Sequence, residues 1–133
     1  AQMCDGLKRL IVHKSRFDEV VSLLKDKVVS QKIGKAIDPA TTTGPLVAER
    51  QVKALEIQVE DARNKGANIV VGGKRPAALN GAYYEPTLIT GVKNDMKVWT
   101  EEVFGPVLPI VSFETEEEAV AMANDTKSST ACL

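Results

Sequence analysis

The sequence predicts an α/β fold, a layered sandwich with helices packed on a largely parallel or mixed sheet. Two observations carry this. Short, β-branched apolar runs alternate with stretches whose apolar residues recur every three or four positions. Apolar residues make up 44% of the chain but aromatic ones only 5%, so the core is built from Val, Ile, Leu and Ala. The length, 133 residues, suits one domain.

Leu10-Ile11-Val12 is a continuous apolar run, as expected of a strand buried on both faces. Ser15 offers an N-cap with Asp18 three residues on, and Phe17, Val20, Val21, Leu24 and Val28 then follow with helical spacing over about residues 16–30. Residues 34–45, with Asp38-Pro39 and Gly44-Pro45, are turn formers without periodicity and read as a loop. From about Val47 a second helix places Val52, Leu55, Val59 and Ala62 on one stripe, with Arg63 and Lys65 near its end and Gly66 as the stop. Asn68 to Val71 forms a strand closed by Gly72-Gly73. After a loop over 74–82, residues 83–90 read as a strand that Pro86 consigns to a sheet edge. Val107 to Phe113 is a further strand, and Thr115-x-x-Glu118 is a capping box opening a helix to about Asn124, with Ala119, Val120, Met122 and Ala123 inward. Strand directions are left open by this pattern.

Charge narrows the partners. Seventeen basic and 18 acidic residues leave a net charge of −1, so no polycation is present for nucleic acid or an anionic membrane surface. The first 66 residues carry a net charge of +3 and the rest −4, a mild split that surface solvation accounts for. Two cysteines at opposite ends, Cys4 and Cys132, and a single histidine, His13, provide neither a zinc set nor a disulfide framework. No metal site is expected, and free thiols fit a reducing, cytoplasmic setting. No run approaches the roughly 18 apolar residues of a membrane span. His13 reads as a strand-end surface histidine. The four glutamates within residues 114–118 favour a helix N-terminus, where they face its positive dipole end.

Two strings stand out chemically. Cys4 is a candidate nucleophile, provided that its thiolate is stabilised; Lys8 and Arg9 follow it closely. Glu101-Glu102-Val103-Phe104-Gly105-Pro106 places two carboxylates and an aromatic on a loop just before a strand, a pattern suited to a flat polar ligand or to a solvated turn whose Phe104 plugs the core. The glycine-rich phosphate cradles of the common nucleotide folds are missing.

Ala1-Gln2-Met3-Cys4, with Arg9 five residues after the cysteine, resembles the Gly-Gln-x-Cys nucleophile segment of the NAD(P)-dependent aldehyde dehydrogenase superfamily. The Asp38-Pro39 to Gly44-Pro45 loop, Lys65-Gly66-Ala67, Gly72-Gly73, Tyr84-Glu85-Pro86-Thr87-Leu88 and the Glu101 to Val107 string resemble the family's motifs in the family's order. The resemblance implies that Cys4 attacks the aldehyde carbon to give a thiohemiacetal, whose oxyanion the cysteine's own backbone N–H helps to hold. Hydride transfer to NAD or NADP then leaves a thioester that water hydrolyses to the acid. It implies that Glu102 bonds the nicotinamide ribose hydroxyls, that Phe104 packs beside the nicotinamide, and that Arg9 supports the nucleophile segment.

Family chains are several times longer. On this resemblance residues 1–133 are part of a catalytic domain, and the dinucleotide-binding domain, the general-base glutamate and the oxyanion-hole asparagine lie outside them. Alone, the chain is then expected to be inactive and to hold NAD(P) weakly or not at all. Ala1 replaces the family glycine, and the tail from Lys127 to Leu133 departs from the family pattern. Beside the reading as part of an enzyme with a small aldehyde substrate stands a second, a non-catalytic module whose open sheet edge binds another chain or forms a homo-oligomer.

Overall fold

The computed structural model describes residues 2–3 and 6–125. In chain order the elements are β1 (Leu10–His13), α1 (Phe17–Val29), α2 (Glu49–Asn64), β2 (Asn68–Val71), β3 (Thr87–Thr90), α3 (Lys97–Thr100), β4 (Val107–Phe113) and α4 (Glu116–Asn124). The sheet order is β1-β4-β3-β2, with β4 parallel to both neighbours and β2 antiparallel to β3. The expected α/β sandwich with a mixed sheet is what forms.

Alternation along the strands divides the core between two faces. Ile89 of β3 and Val107 of β4 join Val52, Leu55, Val59 and Ala62 of α2 in one buried cluster, which Met96, Val98, Val103 and Tyr84 complete. One residue out of phase, Leu88 and Leu108 line a groove on the other face together with Leu24 and Val28 of α1. Helix α2 ends as its sequence prescribes. Gly66 adopts φ 88°, and the N–H groups of Gly66 and Ala67 return to the carbonyls of Arg63 and Ala62 at 3.0 and 2.9 Å.

Several expectations are corrected. The strand predicted over 83–90 is confined to Thr87–Thr90 and lies inside the sheet, because Pro86 stands before the first ladder residue and removes no ladder bond. Proline is accommodated in the interior strand β4 by a changeover. Residues 107–109 pair with β3 and residues 110–113 with β1, so Pro109 is the last residue of one ladder. Strand β1 is half-buried at an edge, not covered on both faces. Ser15 does not cap α1; His13 accepts from the Ser15 N–H in a short 3-10 turn, and α1 begins after Arg16 without a side-chain cap. Val120 points to solvent, while Ala119, Met122 and Ala123 are partly buried. The one-turn helix α3 has no counterpart in the sequence reading.

Candidate active site

The loop between α3 and β4 is fixed residue by residue. Val103 is buried, and Gly105 lies so close to α2 that a Cβ there would stand 2.4 Å from Leu55 Cδ1. At the far end the Pro106 carbonyl accepts from the Thr87 N–H at 2.8 Å. Val103 and Gly105 are committed to the core, and Glu102 and Phe104, which alternate with them, stay more exposed. The Glu102 side chain remains 39% exposed and Phe104 is partly exposed, so the ring is not a core plug.

The N-terminal segment comes to Glu102 and Phe104. Its Lys8 ammonium donates to the Met3 carbonyl at 3.0 Å, lies 3.4 Å from Glu102 Oε1 and sits 4.5 Å from the centre of the Phe104 ring. A turn is closed by the Gly6 N–H on the Met3 carbonyl at 3.1 Å, and Gln2 Oε1 accepts from the Val47 N–H at 3.1 Å. Cys4 lies outside the described residues, as does the tail from Lys127 to Leu133; the residues flanking Cys4 are thus tied to the two that the sequence reading assigned to the cofactor. Gln2, Gly6 and Leu7 also face Gly105 and Pro106 across the groove over the sheet, which has a volume of about 650 Å³.

Arg9 anchors the segment from its other end. Its guanidinium stacks 4.2 Å from the Trp99 ring and donates to the carbonyls of Trp99 and Asp125, both at 2.7 Å. Trp99 Nε1 donates in turn to Asp125 Oδ2 at 2.7 Å, so Arg9 joins α3 to the end of α4. Remote from this site, His13 is exposed at the end of β1, edge-on to Phe113. No group of three or more His, Cys, Asp or Glu residues could hold a metal among the described residues.

One buried polar residue beside the site has no counterpart in the sequence reading. Gln58 is buried on the inward stripe of α2, and its amide donates to the Glu101 carboxylate and the Glu102 carbonyl. A single amide between apolar positions gives no pattern that could have revealed it.

An accessible carboxylate suits paired sugar hydroxyls, and an aromatic face two residues on suits a planar ring. Fold and site together define an α/β domain that sets a cysteine-bearing segment beside a carboxylate and an aromatic ring. The chain belongs to the aldehyde dehydrogenase family, whose model matches residues 1–132.

Similarity to individual members agrees with this. The mitochondrial succinate-semialdehyde dehydrogenase of Oryza sativa subsp. japonica is 43% identical over 127 residues, 96% of this chain and 24% of the relative. The crystal structure of succinate-semialdehyde dehydrogenase from Burkholderia pseudomallei superposes with a TM-score of 0.91 at 43% identity, over 95% of this chain and 26% of that one. A point mutant of betaine aldehyde dehydrogenase from Staphylococcus aureus, solved in complex with NAD+, gives 0.88 at 38% identity, over 94% of this chain and 26% of its own. The chain thus spans about a quarter of the length of these relatives. Among the described residues no helix is long and apolar enough to cross a membrane.

Proposed function

We propose that residues 1–133 are part of the catalytic domain of an aldehyde dehydrogenase and supply its nucleophile and part of its nicotinamide site. The single observation that carries this is Lys8, which joins the segment flanking Cys4 to both Glu102 and Phe104. In this reading the Cys4 thiolate attacks the carbonyl carbon of a small aldehyde and forms a C–S bond, while the carbonyl oxygen takes up the electron pair as an oxyanion. The backbone N–H of Cys4 helps to hold that oxyanion. When bound, NAD or NADP would accept the hydride that the carbon loses as the oxyanion re-forms its C=O bond, the change that leaves a Cys4 thioester. Water then cleaves the Cys4 thioester to release the acid and return the thiol. Glu102 accepts from the ribose hydroxyls, Phe104 packs beside the ring, and Arg9 holds the segment against Trp99.

Lys8 is the group that the ribose meets at Glu102. Its ammonium neutralises the carboxylate and covers the Phe104 face, so ligand entry exchanges a protein contact for a hydroxyl contact. A small aldehyde remains the substrate class, and a reducing compartment, the cytoplasm in the first instance, suits the free Cys4 thiol. In the full-length protein Glu102→Gln raises the cofactor KM by roughly tenfold and leaves the aldehyde KM unchanged. An unaltered cofactor KM contradicts the role given to Glu102.

The chain spans about a quarter of the length of its relatives. The isolated 133-residue chain is therefore expected neither to oxidise aldehydes nor to hold NAD(P) tightly. NAD(P)H production by the pure chain, abolished by Cys4→Ala, overturns that expectation.

The open edge of β1 favours a second reading, self-association. Among the described residues Leu10-Ile11-Val12 pairs on the β4 side alone, and an unpaired strand edge is a template for another chain.

A further inference from the structure

We propose that Gln58 is a positioning residue for Glu102, an inference that rests on the reading of Glu102 as the ribose-binding carboxylate. Gln58 occupies the inward stripe of α2, three residues after Leu55 and four before Ala62, and is 5% exposed. At such a position an apolar side chain packs without cost, whereas a buried amide is destabilising unless its hydrogens are bonded. Nε2 donates to Glu101 Oε2 and to the Glu102 carbonyl, both at 3.2 Å. Both acceptors lie on the loop and neither on α2, so the amide spends its donors on the Glu101 carboxylate and the Glu102 carbonyl.

The consequence is geometric. Holding the Glu102 carbonyl toward α2 fixes the peptide that follows Glu102, while the contact of Gly105 with Leu55 fixes the strand three residues later. Between these two points the alternation of side chains turns the Glu102 carboxylate and the Phe104 ring away from the core. Without the amide Val103 stays in the core and the Glu101 N–H stays on the Lys97 carbonyl, but the Glu102 carbonyl is released, and the carboxylate loses its set direction. Gln58 touches neither ligand nor reacting atoms and acts only through the loop.

The test uses the full-length protein with three variants. Gln58→Met fills the same space and donates nothing. Gln58→His carries a ring N–H at a similar reach and retains one of the two bonds. Glu102→Gln reports on the carboxylate itself. The expected result is a rise of roughly three- to tenfold in the cofactor KM for Gln58→Met, partial recovery in Gln58→His, and an unchanged aldehyde KM in both. Amide hydrogen exchange at residues 101–104 without cofactor is expected to accelerate in Gln58→Met and less so in Gln58→His, a readout independent of turnover. Wild-type cofactor KM and wild-type exchange in Gln58→Met, alongside a raised KM in Glu102→Gln, overturn the proposal alone. An unchanged KM in Glu102→Gln overturns the reading of Glu102 and the proposal with it, so the silent variant tells the two failures apart.

Discussion

Gly105 is the residue through which the site depends most directly on the core. A Cβ at this position meets two methyl groups and the branch carbon of Leu55, itself fully buried. Gly105→Ala is therefore expected to destabilise the domain by about 1–3 kcal/mol, the usual cost of overpacking, and to disturb Glu102 and Phe104 with it. Urea denaturation checks the first effect; a wild-type midpoint shows that α2 and the loop can separate without cost. Tyr84 ties stability to pH. Burial pushes its phenol from 10.0 up to about 12, and it is 2% exposed. The raised value means that the stabilisation is complete below the unfolded value and is lost as pH rises toward the folded one. On the order of 2 kcal/mol is expected to disappear over that alkaline window and to be absent from Tyr84→Phe, as thermal melts against pH can show. Glu102 and Phe104 were legible because a charged pair, an aromatic and Gly-Pro form an uncommon string. Gln58 was not, since it acts on a loop far away in sequence and carries no local pattern, and Lys8 stood out only for its nearness to Cys4, its contacts with Glu102 and Phe104 being remote in sequence.

Elements with a local chemical signal were the ones the sequence described well. The capping box of α4 forms: Thr115 Oγ1 accepts from the Glu118 N–H at 3.3 Å, and Glu118 Oε2 accepts from the Glu114 N–H at 2.8 Å, one residue before the usual partner. Thr115→Ala is expected to cost about 1 kcal/mol and to speed amide exchange in the first turn of α4. Equal exchange in the two proteins shows that the glutamates and the dipole suffice without the cap. The N-terminus of α1 shows where such signals mislead, since the Ser15 hydroxyl is drawn to His13 Nδ1 at 2.8 Å and the helix starts two residues later. Pro86 reads in the sequence as the mark of an edge strand, but which side of a strand a missing N–H faces depends on the register of its neighbours, which a linear sequence does not display. Helix α3 is a single turn with only Val98 and Trp99 buried, too short for any periodicity to register.

At the scale of the whole molecule, fold class and much of the core were readable while the sheet's topology was not. The stripe of α2 and the alternation of β3 and β4 lay in the sequence as periodicities, whereas strand order and direction arise only when the elements assemble. Large apolar side chains remain on the surface, Ile37 at 90% and Leu23 at 60% exposure among them, and β1 has one unpaired edge. Taken with a span of about a quarter of the relatives' length, this predicts that the isolated chain self-associates with rising concentration. A monomer at all concentrations by size exclusion with light scattering contradicts that. The central claim, that this chain carries the nucleophile of an aldehyde-oxidising enzyme, is tested most directly by NAD(P)H formation in the full-length protein supplied with succinate semialdehyde or betaine aldehyde. Activity that falls by several orders of magnitude in Cys4→Ala and persists in Cys132→Ala is the predicted result; turnover undiminished in Cys4→Ala contradicts it.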